Sequence, residues 1–258
     1  MNQTERRRML IEALLAEDAR YAGTRIPLTA DGQKKLLRSL MNVRPPRQND
    51  PEFLRIQDEY LREELAQKGL TDADSLVPMR GNLCLWQGDI TTLAADGIVN
   101  AANSGMTGCY SPCHTCIDNC IHTYAGVQLR YDCALLMREQ GHEEPTGSAK
   151  ITKAYNLPAR YVLHTVGPIV GGAEPTREDR RLLASCYASC LGLAAEYGLR
   201  SLAFCCISTG VFGYPPEDAA RVAVETTERW LTENDSPMRV IFNVFRDSDR
   251  TIYEKLLT

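Results

Sequence analysis

A chain of 258 residues has room for one large domain, or for a domain with a substantial extension. Its 44% hydrophobic and 24% charged residues are the balance of a globular protein, which excludes disordered and fibrous classes. A net charge of −4 lacks the basic surplus of a protein that grips phosphate backbones, so no nucleic-acid partner is expected.

At the N-terminus, Arg6, Arg7 and Arg8 precede an apolar stretch from Met9 to Leu15. Glu12 interrupts that stretch and no small-residue cleavage site follows, so it does not read as a signal peptide. No segment reaches the roughly 18 to 20 apolar residues that cross a bilayer. A cytoplasmic protein with no membrane partner is expected. Residues 1–78 read as a helical extension. One helix is expected from Asp31 to Met41, stopped by Arg44-Pro45-Pro46. Another is expected from Pro51 to Lys68, with Asp50 as its cap and Pro51 in its first turn. Phe53, Ile56 and Tyr60 give this second helix an apolar stripe to lay on a larger body.

From residue 79 to 258 short β-prone runs alternate with longer helical ones. Strands are expected at Leu83–Gln87, Gly97–Asn100, Tyr161–Val166, Leu202–Ile207 and Arg239–Phe245. Helices are expected at Asp118–Gln140, Glu178–Tyr197, Pro216–Asn234 and Ser248–Leu257. Several strands are apolar on both faces, the mark of a mostly parallel sheet covered by helices on each side. The fold class is α/β, a three-layer α/β/α sandwich with a mixed, mostly parallel central sheet behind the N-terminal helical extension.

Three segments leave strand ends, where parallel sheets gather ligands. In Gly88-Asp89-Ile90-Thr91, Asp89 can accept a hydrogen bond from an amino group or cap a turn. Val99-Asn100-Ala101-Ala102-Asn103 leads into a loop of small residues that lets backbone approach a ligand closely, with Asn103 offering both donor and acceptor atoms. Ser208-Thr209-Gly210-Val211-Phe212-Gly213-Tyr214-Pro215 lies between a strand and a helix, and its N–H groups can cradle phosphate. It lacks the lysine of a nucleoside-triphosphatase loop.

Together, in this order, these segments resemble the macrodomain family over residues 80–258. The resemblance implies a cleft for ADP-ribose with Asp89 and Ile90 at the adenine end. Ser208, Thr209, Gly210, Val211 and Phe212 would surround the diphosphate, and Asn103 would stand near the distal ribose. Cys116, Ile117 and Asp118 would complete the ligand contacts. Phe245 is either an aromatic beside the adenine or a core residue.

The chain carries ten cysteines. Cys186, Cys190, Cys205 and Cys206 fall in helical or apolar runs and read as small buried hydrophobes. Cys109, Cys113, Cys116 and Cys120 are crowded beside His114 and His122, in and just after an insertion over residues 104–118. Two thiolates and an imidazole suit zinc, so Cys109, His114 and Cys116 are the expected ligands, leaving one coordination position open. Cys113 is the rival ligand and Cys120 a candidate fourth; adjacent residues seldom face one ion, which counts against Cys113. His122 and His164 read as structural.

This insertion resembles the zinc-containing branch of macrodomains, microbial proteins that also carry a helical N-terminal extension. That resemblance implies a hydrolase that removes mono-ADP-ribose from modified protein and opposes a sirtuin-like ADP-ribosyltransferase. Asn103 and Asp118 would be its catalytic residues, Asn103 orienting the ribose and Asp118 activating water, unless Asp118 serves only as a helix cap. The competing expectation is a reader that binds ADP-ribose without chemistry, its zinc only a staple.

Overall fold

The computed structural model describes residues 1–258. Three helices open the chain: α1 (Gln3–Ala16), α2 (Ala30–Val43) and α3 (Pro51–Lys68). Each start is capped by a side chain that accepts an otherwise unpaired N–H: Asn2, Thr29 and Asp50 respectively. Leu10, Ile11, Leu37, Ile56 and Tyr60 close a small core between them, and Val127 from the larger body joins it. Gln57 is 0% exposed. Its Oε1 accepts from the Val127 N–H at 2.9 Å and its Nε2 donates to Gln128 Oε1 at 2.7 Å. Paired polar groups inside an apolar contact fix its register, so the helical region is docked on the same chain.

The helical part ends at Lys68. Thr71–Asp72 forms a short strand, β1, paired in parallel with β3 (Leu93–Ala94). Ala73 lies in the larger core. Arg239 Nη1 donates to the Leu76 carbonyl at 2.7 Å, which ties residues 71–76 to the sheet body.

The main sheet runs β2 (Leu83–Gln87), β8 (Arg239–Val244), β7 (Ser201–Phe204), β4 (Gly97–Ala101), β6 (Tyr161–Thr165), β5 (Ala149–Lys153). All neighbours are parallel except β5, which is antiparallel to β6. The helices are α4 (Ile117–Ala125), α5 (Val127–Gln140), α6 (Arg177–Glu196), α7 (Pro216–Glu233) and α8 (Asp247–Leu257). From β4 the chain passes through α4 and α5 to reach β5 and β6 on one side. From β6 it passes through α6 to β7, then through α7 to β8, on the other side. Right-handed crossovers in opposite directions put their helices on opposite faces of the sheet. Ile98, Val99, Leu202 and Ala203 on the central strands are accordingly fully buried.

Two sequence expectations differ from the structure. The helix expected from Asp118 to Gln140 is two helices broken at Gly126, whose φ is 103°. A Cβ there would lie 2.5 Å from Gln128 Oε1 and 2.6 Å from Gln57 Nε2, so the break is where the helical region docks. The strand expected to run to Ile207 stops at Phe204, and Cys205 and Ile207 are buried in the loop beyond. β5 was not anticipated: an edge strand with Lys150 and Lys153 has no continuous apolar run to reveal it.

Candidate active site

Because β2, β4, β6, β7 and β8 are parallel, the segments that follow them all emerge at one edge of the sheet. β4 and β7 are adjacent, and their following helices leave to opposite faces, which opens a crevice between their carboxyl ends. The loop bearing Asn103 leaves β4; the loop bearing Ser208 leaves β7.

Asp118 stands at the β4 side of this crevice. It lies in the first turn of α4, but the cap is Cys116, whose sulfur accepts from the Asn119 N–H at 3.4 Å. The alternative of Asp118 as helix cap is therefore corrected: its carboxylate points to two asparagines. Asn100 Nδ2 donates to Oδ1 at 2.9 Å and Asn103 Nδ2 donates to Oδ2 at 3.2 Å. With only 5% of the residue exposed, burial pushes its carboxyl up to about 6, against the two asparagine bonds and the Arg130 charge that pull it down. Asn103 is fixed in turn, its Oδ1 accepting from the Gly105 N–H at 3.0 Å and its Nδ2 donating to the Gly108 carbonyl at 3.2 Å. Asn100 was not singled out in the sequence. A polar residue on a strand read as buried is the signal that could have found it.

Asn100 Nδ2 also approaches His164 Nδ1 at 3.1 Å, and His164 Nε2 meets Thr152 Oγ1 at 2.9 Å. Burial holds His164 down to about 3 and His122 well below its ordinary value, so both rings are neutral. His122, Cys133 and His164 are close enough to share an ion, yet both nitrogens of His164 already have partners. The trio backs the Asp118 network.

The cysteine loop flanks the same end of the crevice. One donor atom each from Cys109, His114 and Cys116 lies within 4.8 Å of the others, with Cys109 Sγ to His114 Nδ1 at 3.8 Å. A tetrahedral zinc with bonds of about 2.0–2.3 Å separates its donors by roughly 3.5–3.8 Å, so this donor set fits the ion in kind and the Cys109–His114 separation fits it in spacing. Burial pushes the Cys116 thiol up to about 12, a penalty that a divalent cation would remove. Cys113 turns away: its sulfur meets Ser39 Oγ at 3.2 Å and the Lys35 carbonyl at 3.4 Å. Cys120 lies beside the Arg38 guanidinium instead.

On the β7 side, Ser208 adopts φ 65° and its carbonyl accepts from the Tyr214 N–H at 2.9 Å, folding the loop back on itself. The Val170 and Gly171 N–H groups both donate to the Phe212 carbonyl at 2.9 Å. The N–H groups of Gly210, Val211 and Phe212 have no acceptor within the protein, the arrangement of an anion cradle ahead of the α7 N-terminus. Thr209 Oγ1 donates to the Cys206 carbonyl at 3.0 Å. Val211 is 77% exposed at the loop tip.

At the β2 end, Asp89 Oδ1 accepts from the Thr91 N–H at 3.0 Å and caps the turn Ile90–Thr92. Asp89 Oδ2 pairs with Lys68 Nζ at 3.1 Å, and that ammonium lies 3.5 Å from the Tyr124 ring centroid. Lys68, from the last turn of α3, was missed because nothing in the sequence joins it to a loop 21 residues later. Ile90 buries its side chain in the core, so only its main chain can face a ligand. Ile117 packs partly against the same core. Phe245 is 77% exposed just past β8, which removes the core alternative for it.

Comparison with known proteins agrees with this architecture. The sequence pattern of the Macro domain family matches residues 99–223. A protein of Treponema medium named protein-ADP-ribose hydrolase is 60% identical over 262 aligned positions, covering 100% of both chains. A Fusarium oxysporum protein, named a probable bifunctional ADP-ribose hydrolase/ADP-ribosyltransferase, is 44% identical over 86% of this chain and 40% of its own length. The crystal structure of a Trypanosoma brucei macrodomain in complex with ADP-ribose superposes with a TM-score of 0.66 at 32% identity, over 86% of this chain and 95% of that one. The fold and its crevice thus define a macrodomain. The chain belongs to the macrodomain family.

Proposed function

We propose that this macrodomain is the hydrolase that releases mono-ADP-ribose from modified protein side chains. The observation that carries this reading is the buried carboxylate of Asp118, gripped by Asn100 and Asn103 at 2.9 and 3.2 Å at the carboxyl end of β4. A reader needs only the Asp89 turn and the Ser208–Phe212 cradle; a desolvated carboxylate held in one orientation beside the distal end of the crevice also suits proton transfer. The full-length likeness to a named protein-ADP-ribose hydrolase supports the same reading.

In this mechanism the N–H groups of Gly210, Val211 and Phe212 take the diphosphate, Asp89 and the Ile90 main chain receive the adenine, and exposed Phe245 covers it. Asn103 orients the distal ribose. Asp118 accepts a proton as water attacks the anomeric carbon; the bond from that carbon to the protein side chain breaks, and the departing side chain takes up a proton. The products are free ADP-ribose and the unmodified protein. Cys109, His114 and Cys116 would hold zinc, which supplies a Lewis acid moderated by two thiolate charges. The opposing enzyme is read as a sirtuin-like ADP-ribosyltransferase; the fungal relative named as hydrolase and transferase together supports such a pairing.

Incubation with proteins mono-ADP-ribosylated on carboxylate, serine or arginine tests the proposal. Release of ADP-ribose from at least one linkage is expected, with loss of release on chelation. Tight binding with no release from any of them would identify a reader instead.

A further inference from the structure

The helical region touches the cysteine loop through one face of α2. Arg38 Nη2 donates to the His114 carbonyl at 2.8 Å and to Asn119 Oδ1 at 2.9 Å. Asn119 Nδ2 passes this grip on, donating to the Cys109 carbonyl at 3.3 Å and to the Ser111 carbonyl at 3.0 Å. Asn42 Oδ1 accepts from the Cys113 N–H at 2.9 Å, while Asn42 Nδ2 donates to Thr123 Oγ1 at 2.9 Å. Ser39 Oγ meets the Cys113 sulfur. From α5, Arg130 Nη1 donates to the Asn42 and Arg44 carbonyls at 2.6 and 2.7 Å, and its guanidinium lies 4.2 Å from the Tyr110 ring centroid.

Four of these bonds hold loop backbone, at the Cys109, Ser111 and His114 carbonyls and the Cys113 N–H, so they set the path of the loop. Asn42 and Ser39 hold Cys113 itself, whose φ of 54° is a left-handed conformation that a non-glycine residue keeps only when its surroundings hold it. With Cys113 turned into α2, the residues on either side of it bring Cys109, His114 and Cys116 to face one another.

We propose that α2 is the positioning element of the metal loop, with Arg38, Ser39 and Asn42 as positioning residues and Cys113 as the anchor they hold. This rests on the reading of Cys109, His114 and Cys116 as metal ligands. It gives the N-terminal helices a role at the reaction centre: α2 supplies the wall against which the loop is shaped. Removing partners that hold ligand-bearing groups costs roughly 10- to 100-fold in metal affinity.

The test uses the full chain with Arg38→Ala, Asn42→Ala and, as control, Arg6→Ala. Arg6 bonds Glu59 and Glu63 within the helical region, away from the loop. Two quantities are read: amide hydrogen exchange across residues 109–116, and the rate of zinc transfer to a chromogenic chelator. Arg38→Ala and Asn42→Ala are expected to raise both by roughly tenfold or more, with exchange in β4 and affinity for ADP unchanged; Arg6→Ala should change neither. Wild-type exchange and zinc release in a folded Arg38→Ala protein overturn the proposal, as does equal acceleration by Arg6→Ala. Should Asn42→Ala fail to fold, Arg38→Met serves, since it keeps an unbranched stem and removes the one nitrogen that donates to the His114 carbonyl and to Asn119; wild-type loop exchange in it counts against the proposal. If the wild-type chain carries no zinc, the metal reading fails, and the exchange measurement alone still decides whether α2 holds the loop.

Discussion

Asp118 illustrates how one side chain takes its character from its neighbours. Exposed in the first turn of a helix, it would be an ordinary carboxylate favoured by the dipole. Buried and held by Asn100 and Asn103, it is a carboxylate of fixed orientation, as the proposed role of base requires. Asp118→Ala is expected to slow hydrolysis by about 10²- to 10⁴-fold while leaving ADP-ribose binding near wild type, as measured by ADP-ribose release and by titration calorimetry. Unchanged turnover would remove Asp118 from the mechanism. For the neighbouring loop, Cys116→Ala is expected to lose stoichiometric zinc in elemental analysis of the purified protein; full retention would show that Cys116 is not a ligand. The residue types were legible in the sequence, as were Asp89 and the Ser208–Phe212 loop. Asn100 and Lys68 were not, because their importance comes from partners that lie far off along the chain.

Among the elements, α4 and α5 show where periodicity misleads. Their residues continue one helical pattern across Gly126, and only the docking of Gln57 against Gln128 and the Val127 N–H forces the break. At φ 103° an L side chain is strained, and its Cβ would strike both glutamines. Gly126→Ala is therefore expected to destabilise the chain by about 1–3 kcal/mol, seen as a Tm lowered by roughly 2–4 °C for each kcal/mol. A wild-type Tm would mean that this junction relaxes freely. The ends of β2, β4 and β8, by contrast, lie within about one residue of those expected from the sequence, since their apolar runs stop where the following loops begin, whereas β7 stops short of Ile207.

Across the whole molecule, the buried polar network couples the site to stability. His164 is neutral and wholly enclosed by Asn100, Thr152 and Cys133, with the His122 ring centroid 6.0 Å away. Its folded-state value is lowered to about 3, so the unfolded chain binds its proton first as pH falls. The stability it confers is therefore complete above about pH 6.5 and is lost toward pH 3, at about 1.4 kcal/mol per pH unit. Urea unfolding of the wild type and of His164→Gln between pH 7.5 and 4.5 is expected to show a shallower decline in the variant. Other titrating groups are common to both chains, so identical slopes would mean that His164 is not held neutral.

By itself the sequence determined the α/β class, the order of the main elements and the three strand-end segments of the crevice, because these depend on local periodicity and on residue types at fixed offsets. It also marked the cysteine and histidine cluster by composition and spacing. Only the tertiary structure decided that Asp118 faces two asparagines while Cys116 caps the helix, that Cys113 turns into α2, and that Lys68 reaches Asp89. Each of those outcomes is a contact between segments remote in sequence, selected by burial and by the pairing of polar groups that burial demands.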